Sequence, residues 1–163
     1  MKKTFTYLLM LAAIAVLFTT SVNAQTAGTL SFNVTTTFTG GSWANASNFV
    51  VWIENSSGTF IKTRIEYGGE TDHLMQWAIK TPTYDVTDAI TGATKTTSPF
   101  VYPAILWTGN DITGTTPYNL LPDGTYTVAM ELAWGSSKVL GTGRQIFSKN
   151  FTKGTLSINI FIN

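Results

Sequence analysis

Few residues of this chain have the type and spacing to do chemistry, and the densest group is the heptapeptide D-A-I-T-G-A-T, Asp88 to Thr94. It sets two hydroxyls, Thr91 and Thr94, on either side of Gly92 and Ala93, with Asp88 at the head. Taken by themselves these residues spell a turn, with Gly92 free to take a positive φ and Asp88 to cap locally. The polar run Thr91 to Ser98 predicts an accessible loop, the usual seat of binding and reacting groups. Other candidates are thinner. His73 is the sole histidine, beside Asp72 and Glu70, and too few ligands converge there for a metal; an exposed loop is expected. Asp85, Asp88, Asp111 and Asp123 match no calcium-loop spacing. Trp52, Trp77, Trp107 and Trp134 could form a sugar-binding platform, but their strand and hairpin context predicts core packing for most of them. No Ser/His/Asp order stands in a motif context, so nothing supports a hydrolase or a transferase.

The elements that must hold these residues begin after a targeting segment. Lys2 and Lys3, the apolar run Tyr7 to Phe18 and the small residues of Val22-Asn23-Ala24 read as a secretory signal, residues 1–24, cleaved after Ala24. The apolar run is short for a membrane span of about 20 residues. Residues 25–163 then make one domain, exported to the periplasm or beyond. Once Lys2 and Lys3 leave, eight Lys+Arg face nine Asp+Glu, a formal charge of −1. That balance carries no basic stripe for nucleic acid. Without cysteine the domain has no disulfide and no thiolate metal site. Its stability must come from burial, for which the five Trp and ten Phe of the full chain, less Phe5 and Phe18 of the signal, are a large supply.

Hydrophobic alternation predicts strands almost throughout. Leu30, Phe32 and Val34 alternate with Ser31, Asn33 and Thr35, up to Phe38, giving one buried and one wet face. Phe49 to Glu54 is a continuous run, as for a strand covered on both sides. Asn55-Ser56-Ser57-Gly58 is turn chemistry, and Thr59 to Tyr67 returns as the second arm of a hairpin. His73 to Ile79 fits a short helix slightly better than a strand. Phe100 to Trp107 is a strand interrupted at Pro103, which predicts an edge or a bulge. Thr125 to Trp134, Val139 to Phe147 and Leu156 to Ile162 complete the set. The fold class expected is all-β, a single antiparallel sandwich of immunoglobulin type.

Two stretches resemble a known family. W-T-G-N-D-I-T-G, Trp107 to Gly114, followed by L-P-D-G-T-Y-T-V, Leu121 to Val128, resembles the W-x-G-x-D-x-x-G … G-x-Y hairpin of Ig-like domains of the flagellar hook-cap type. There Gly109 and Gly114 supply unusual φ, Asp111 caps the turn and Tyr126 anchors the next strand. The extra residues Thr115 to Leu120 make this loop longer than the usual pattern. Taken with V-V-W-I-E-N-S-S-G-T-F-I-K-T, H-L-M-Q-W and D-A-I-T-G-A-T, the order of blocks from Phe49 to Trp134 resembles the DUF2271 family of predicted periplasmic proteins. That family has no settled function.

The heptapeptide is also similar to D-x-x-[S/T]-G-A-[S/T], the motif at which exported proteins receive covalent FMN from a flavin transferase. That enzyme splits FAD with Mg²⁺ and joins FMN, through its phosphate, to the last Ser or Thr. The resemblance implies Thr94 as acceptor, with Asp88, Thr91, Gly92 and Ala93 as recognition positions. A free hydroxyl is a weak nucleophile, so the enzyme must supply base and metal. Gly92 would allow close backbone approach and Ala93 would keep bulk away. Lys95 would partly offset the phosphodiester charge, and Tyr84, Phe100 or Tyr102 would offer the ring a shelf. The function implied is an electron carrier fed by a membrane reductase. The alternative is an Ig-like binding or structural module without cofactor.

Overall fold

Asn55 folds the chain back on itself. Its Oδ1 accepts the amides of Ser57 and Thr59, both at 2.9 Å, and Gly58 takes φ 77°. The turn joins β2 (Asn48–Asn55) to β3 (Phe60–Tyr67), the hairpin expected from the turn residues. The computed structural model describes residues 29–36, 48–68, 73–81, 86, 89–96, 99–110, 120–134, 143–154 and 157–162. Residues 1–24, where a signal is expected, and Phe38, Tyr84, Asp85, Asp88, Asp111 and Gly114 lie outside them. The remaining elements are β1 (Thr29–Thr36), a helix α1 (Met75–Lys80), β4 (Ile90–Gly92), β5 (Phe100–Val101), β6 (Ile105–Trp107), β7 (Gly124–Ala133), β8 (Arg144–Lys153) and β9 (Ser157–Ile162).

These strands form two sheets. One runs β4-β3-β2-β7-β8, and in the other β1 pairs with β5 and β6 on one side and β9 elsewhere. Within the second sheet, β5 and β6 are one strand broken at Pro103. Val101 pairs with Thr35 and Ile105 with Phe32, so three residues on one side oppose two on β1. That is a bulge, placed where proline removes a ladder donor. The described residues are all-β apart from short helical turns, as alternation predicts. The expectation of purely antiparallel pairing needs correction: β1–β9 and β3–β4 are parallel. Alternation specifies which face a strand buries but carries no information on the direction of its partner.

The sheets share one apolar core. Leu30, Val34, Phe100, Ile105 and Trp107 from one meet Phe49, Val51, Ile53, Ile65, Val128, Met130 and Leu132 from the other. The outer face of the larger sheet is covered as well. Leu74 and Trp77 of the α1 segment pack on Val50, Trp52, Ala129 and Ala133. β2 is therefore buried on both faces, as its unbroken apolar run requires. The same cover buries both faces of most of β7, where alternation alone predicts one wet face.

Helix α1 has no side-chain cap of its own. Glu131 of β7 supplies one from outside: its Oε2 accepts the amides of Gln76 and Trp77, both at 3.0 Å. Its Oε1 accepts from Arg144 Nη1 at 2.6 Å in an ion pair with side chains 0% and 2% exposed. Burial pushes the Glu131 carboxyl up, and these donors pull it back. At the helix end Lys80 pairs with Glu54 at 3.2 Å and donates to the Gly58 carbonyl at 2.9 Å, tying α1 to the hairpin turn.

Candidate functional site

The middle of the heptapeptide, Ile90 to Gly92, is the edge of a sheet and not a turn. Ile90, Thr91 and Gly92 form β4, paired with Ile65, Glu66 and Tyr67 of β3. Gly68 extends the ladder, its amide donating to the Gly92 carbonyl at 3.0 Å. Ile90, Thr91 and Ala93 are exposed, while Gly92 and Thr94 are half-buried. Thr91 and Gly92 therefore lie on an edge strand, which corrects the expectation of a loop at those two positions. Gly92 is not among the positive-φ glycines. It is glycine for another reason: a Cβ there would run into the Tyr67 ring. Asp88, the first recognition position, lies outside the described residues.

After β4 the chain crosses from the larger sheet to β5 in the smaller one. Beside this crossing lies an open cleft of about 580 Å³, lined by Tyr67, Ala93, Thr94, Lys95, Thr96, Pro99 and Val101. Thr94 Oγ1 donates to Asn48 Oδ1 at 3.1 Å. Lys95 Nζ stands 4.9 Å from the Tyr67 ring centroid and 5.9 Å from that of Tyr102. Both distances are within the range where a cation is drawn to an aromatic face. Tyr67 meets Tyr102 edge-on at 5.3 Å, and Tyr102 stacks on Phe49 at 4.2 Å, so the cleft wall is braced by the core.

No protein-family model matches this chain, and neither the curated proteins nor the solved structures contain a match.

Thr94, Ala93 and Lys95 thus come together on one cleft, with Gly92 and Thr91 leading into it on β4. The shelf expected from Phe100 or Tyr102 needs correction: they are 1% and 4% exposed and belong to the core. The aromatic wall is Tyr67, and the partner of the Thr94 hydroxyl is Asn48. Both were missed. A parallel ladder joins Tyr67 to Gly92 across an intervening helix, and no local pattern signals such a pairing.

The other candidates resolve into structure. His73 is buried, not on an exposed loop, and no cluster of metal ligands occurs among the described residues. Trp52, Trp77 and Trp107 are all buried, which removes the sugar platform. Their indole N–H groups donate to Glu54 Oε1, Thr63 Oγ1 and the Asn110 carbonyl, at 2.7, 2.9 and 2.7 Å. Trp134 is half-buried against the core. Asp123 pairs with Lys153 at 3.0 Å. One buried carboxyl had no forewarning. Glu66 is 8% exposed, its Oε1 has no hydrogen-bond partner, and burial lifts its pKa from 4.5 to about 7.

Proposed function

We propose that this protein is an exported electron carrier that holds FMN covalently on Thr94. The observation that carries this reading is the cleft: the last hydroxyl of the motif-like heptapeptide lies on its wall, next to an ammonium group and an aromatic ring. About 580 Å³ is within the range of roughly 300–1,000 Å³ usual for small-molecule sites. The residues present suit the group. Thr94 offers the tether, Lys95 a charge opposite to that of a phosphodiester, and Tyr67 a flat apolar wall. When attached, the flavin supplies the electron chemistry, while the domain supplies position and electrostatics. A flavin transferase is the partner required, and a membrane reductase is the donor we assign. Among the described residues no helix is long and apolar enough to cross a membrane.

We also read the fold as an Ig-like sandwich of the DUF2271 kind. The hook-cap-like hairpin supports it: Gly109 takes φ 84°, and its carbonyl accepts the Leu121 amide at 2.9 Å. Tyr126 Oη donates back to the Pro122 carbonyl at 2.8 Å, in the manner of the tyrosine corner of such domains.

A second reading, a binding or structural module without cofactor, has its own support. Gly92 is accounted for by the Tyr67 ring alone, and the Thr94 hydroxyl is already engaged by Asn48. Co-expression with a flavin transferase in an exporting host separates the two. The first reading expects a yellow protein whose mature mass begins at Gln25, whose flavin survives denaturation, and whose Thr94→Ala variant is colourless. A colourless wild type beside a labelled control substrate would leave the module reading in its place.

A further inference from the structure

Asn48 is the first residue of β2 and a buried polar residue, 2% exposed. Its amide has room because Gly68 has no side chain. A Cβ on Gly68 would fall on Asn48 Oδ1, and its φ of 138° is one that L side chains avoid. Gly68 also bonds to the Gly92 carbonyl, which fixes the level of β4 against β3. The start of β2, the end of β3 and the end of β4 thus meet where Thr94 Oγ1 donates to Asn48 Oδ1 at 3.1 Å.

We infer that Asn48 is a positioning residue for modification at Thr94: its amide oxygen holds the hydroxyl proton inward and leaves the Oγ1 lone pairs facing the cleft. This rests on the reading of Thr94 as the flavin acceptor. In the reaction Thr94 Oγ1 forms a bond to the FMN phosphorus of FAD, the phosphoanhydride bond to AMP breaks, and AMP departs. The hydroxyl proton passes to a base of the transferase, and the flavin keeps its oxidation state. An amide oxygen accepts a hydrogen bond but is no base at neutral pH, so Asn48 orients and does not deprotonate. The bond to Asn48 sets the resting rotamer of Thr94; on attack the O–H turns from Asn48 to the base of the transferase while Oγ1 keeps its place facing the cleft. The contribution is orientation, which converts one rotamer among three into the resident one.

The test uses the purified full mature chain, purified flavin transferase, FAD and Mg²⁺, with Asn48→Ala and Asn48→Asp variants. Asn48→Ala should lower kcat for labelling by at least about threefold, the weight of one staggered well among three, with KM for the protein substrate unchanged. Asn48→Asp keeps the acceptor oxygen and should restore kcat. Independently of folding in the variants, three-bond couplings across χ1 of wild-type Thr94 should report a single rotamer. Averaged couplings in the wild type, or wild-type kcat in a folded Asn48→Ala, would overturn the inference while leaving Thr94 as acceptor. Labelling that persists in Thr94→Ala, or an unlabelled wild type, would instead sink the acceptor reading and this inference with it.

Discussion

Replacing Glu66 by Gln should make the protein more stable at pH 8 and leave it unchanged at pH 4. Glu66 lies on β3 between Val50 of β2 and Thr91 of β4, 8% exposed, with one carboxyl oxygen unbonded. Burial disfavours its ionised form and raises its pKa from 4.5 to about 7. Between those pH values the folded chain keeps a proton that the unfolded chain has released. Stability therefore falls as pH rises through that window and reaches its floor above pH 7. At 1.36 kcal/mol per unit the shift corresponds to about 3 kcal/mol, and partial hydration of the carboxyl brings the expected figure to roughly 1–3 kcal/mol. Glutamine has the same shape and no charge to desolvate. Urea unfolding of both proteins at pH 4, 5, 6, 7 and 8 gives the difference curve, in which groups common to both cancel. It should be flat near pH 4 and rise to about 1–3 kcal/mol in favour of Glu66→Gln by pH 8. Two parallel curves with a constant offset would refute burial of an unpaired carboxyl at this position.

Three further outcomes are expected. Glu131→Ala strips α1 of its cap and breaks the buried ion pair with Arg144, a loss of about 3–5 kcal/mol by denaturant unfolding. Trp107→Ala empties a fully buried site and should cost about 3–5 kcal/mol by the same measurement. Gly92→Val forces the Tyr67 ring away from β4 and should cost about 1–3 kcal/mol, with a changed near-UV tyrosine signal.

What could be read from the chain alone was whatever local chemistry decides. Asn55 and Gly58 announce the hairpin, Pro103 announces the bulge, and the unbroken run from Phe49 announces a doubly covered strand. The expected strand from Val139 to Phe147 begins at Arg144 and runs on to Lys153, while 139–142 lie outside the described residues. The extension was illegible because Ser148, Lys149 and Asn150 are exposed on an edge strand: cross-strand pairing with β7 holds them, not burial. The candidate site divides in the same way. Thr94 and Lys95 are neighbours in sequence and were found together; Asn48 and Tyr67 reach them only through sheet pairing. Glu131 reads as one more polar position in an alternating strand, although it joins a helix, a strand and an arginine.

The parallel pairing of β9 with β1 bears on how the molecule is made. Thr29 lies against Ser157 and Val34 against Ile162, so partners come from opposite ends of the sequence. A chain that emerges amino end first has β1 in hand early and must wait for almost everything else before that side of it is covered. Contacts of such long sequence separation slow folding, because loop closure is opposed by entropy before the contacts form. Until then β1 presents unpaired backbone groups to any other strand nearby. Under the export proposed above, the delay keeps the native sheet from closing ahead of translocation. It also marks the interval in which the nascent protein is most exposed to aggregation.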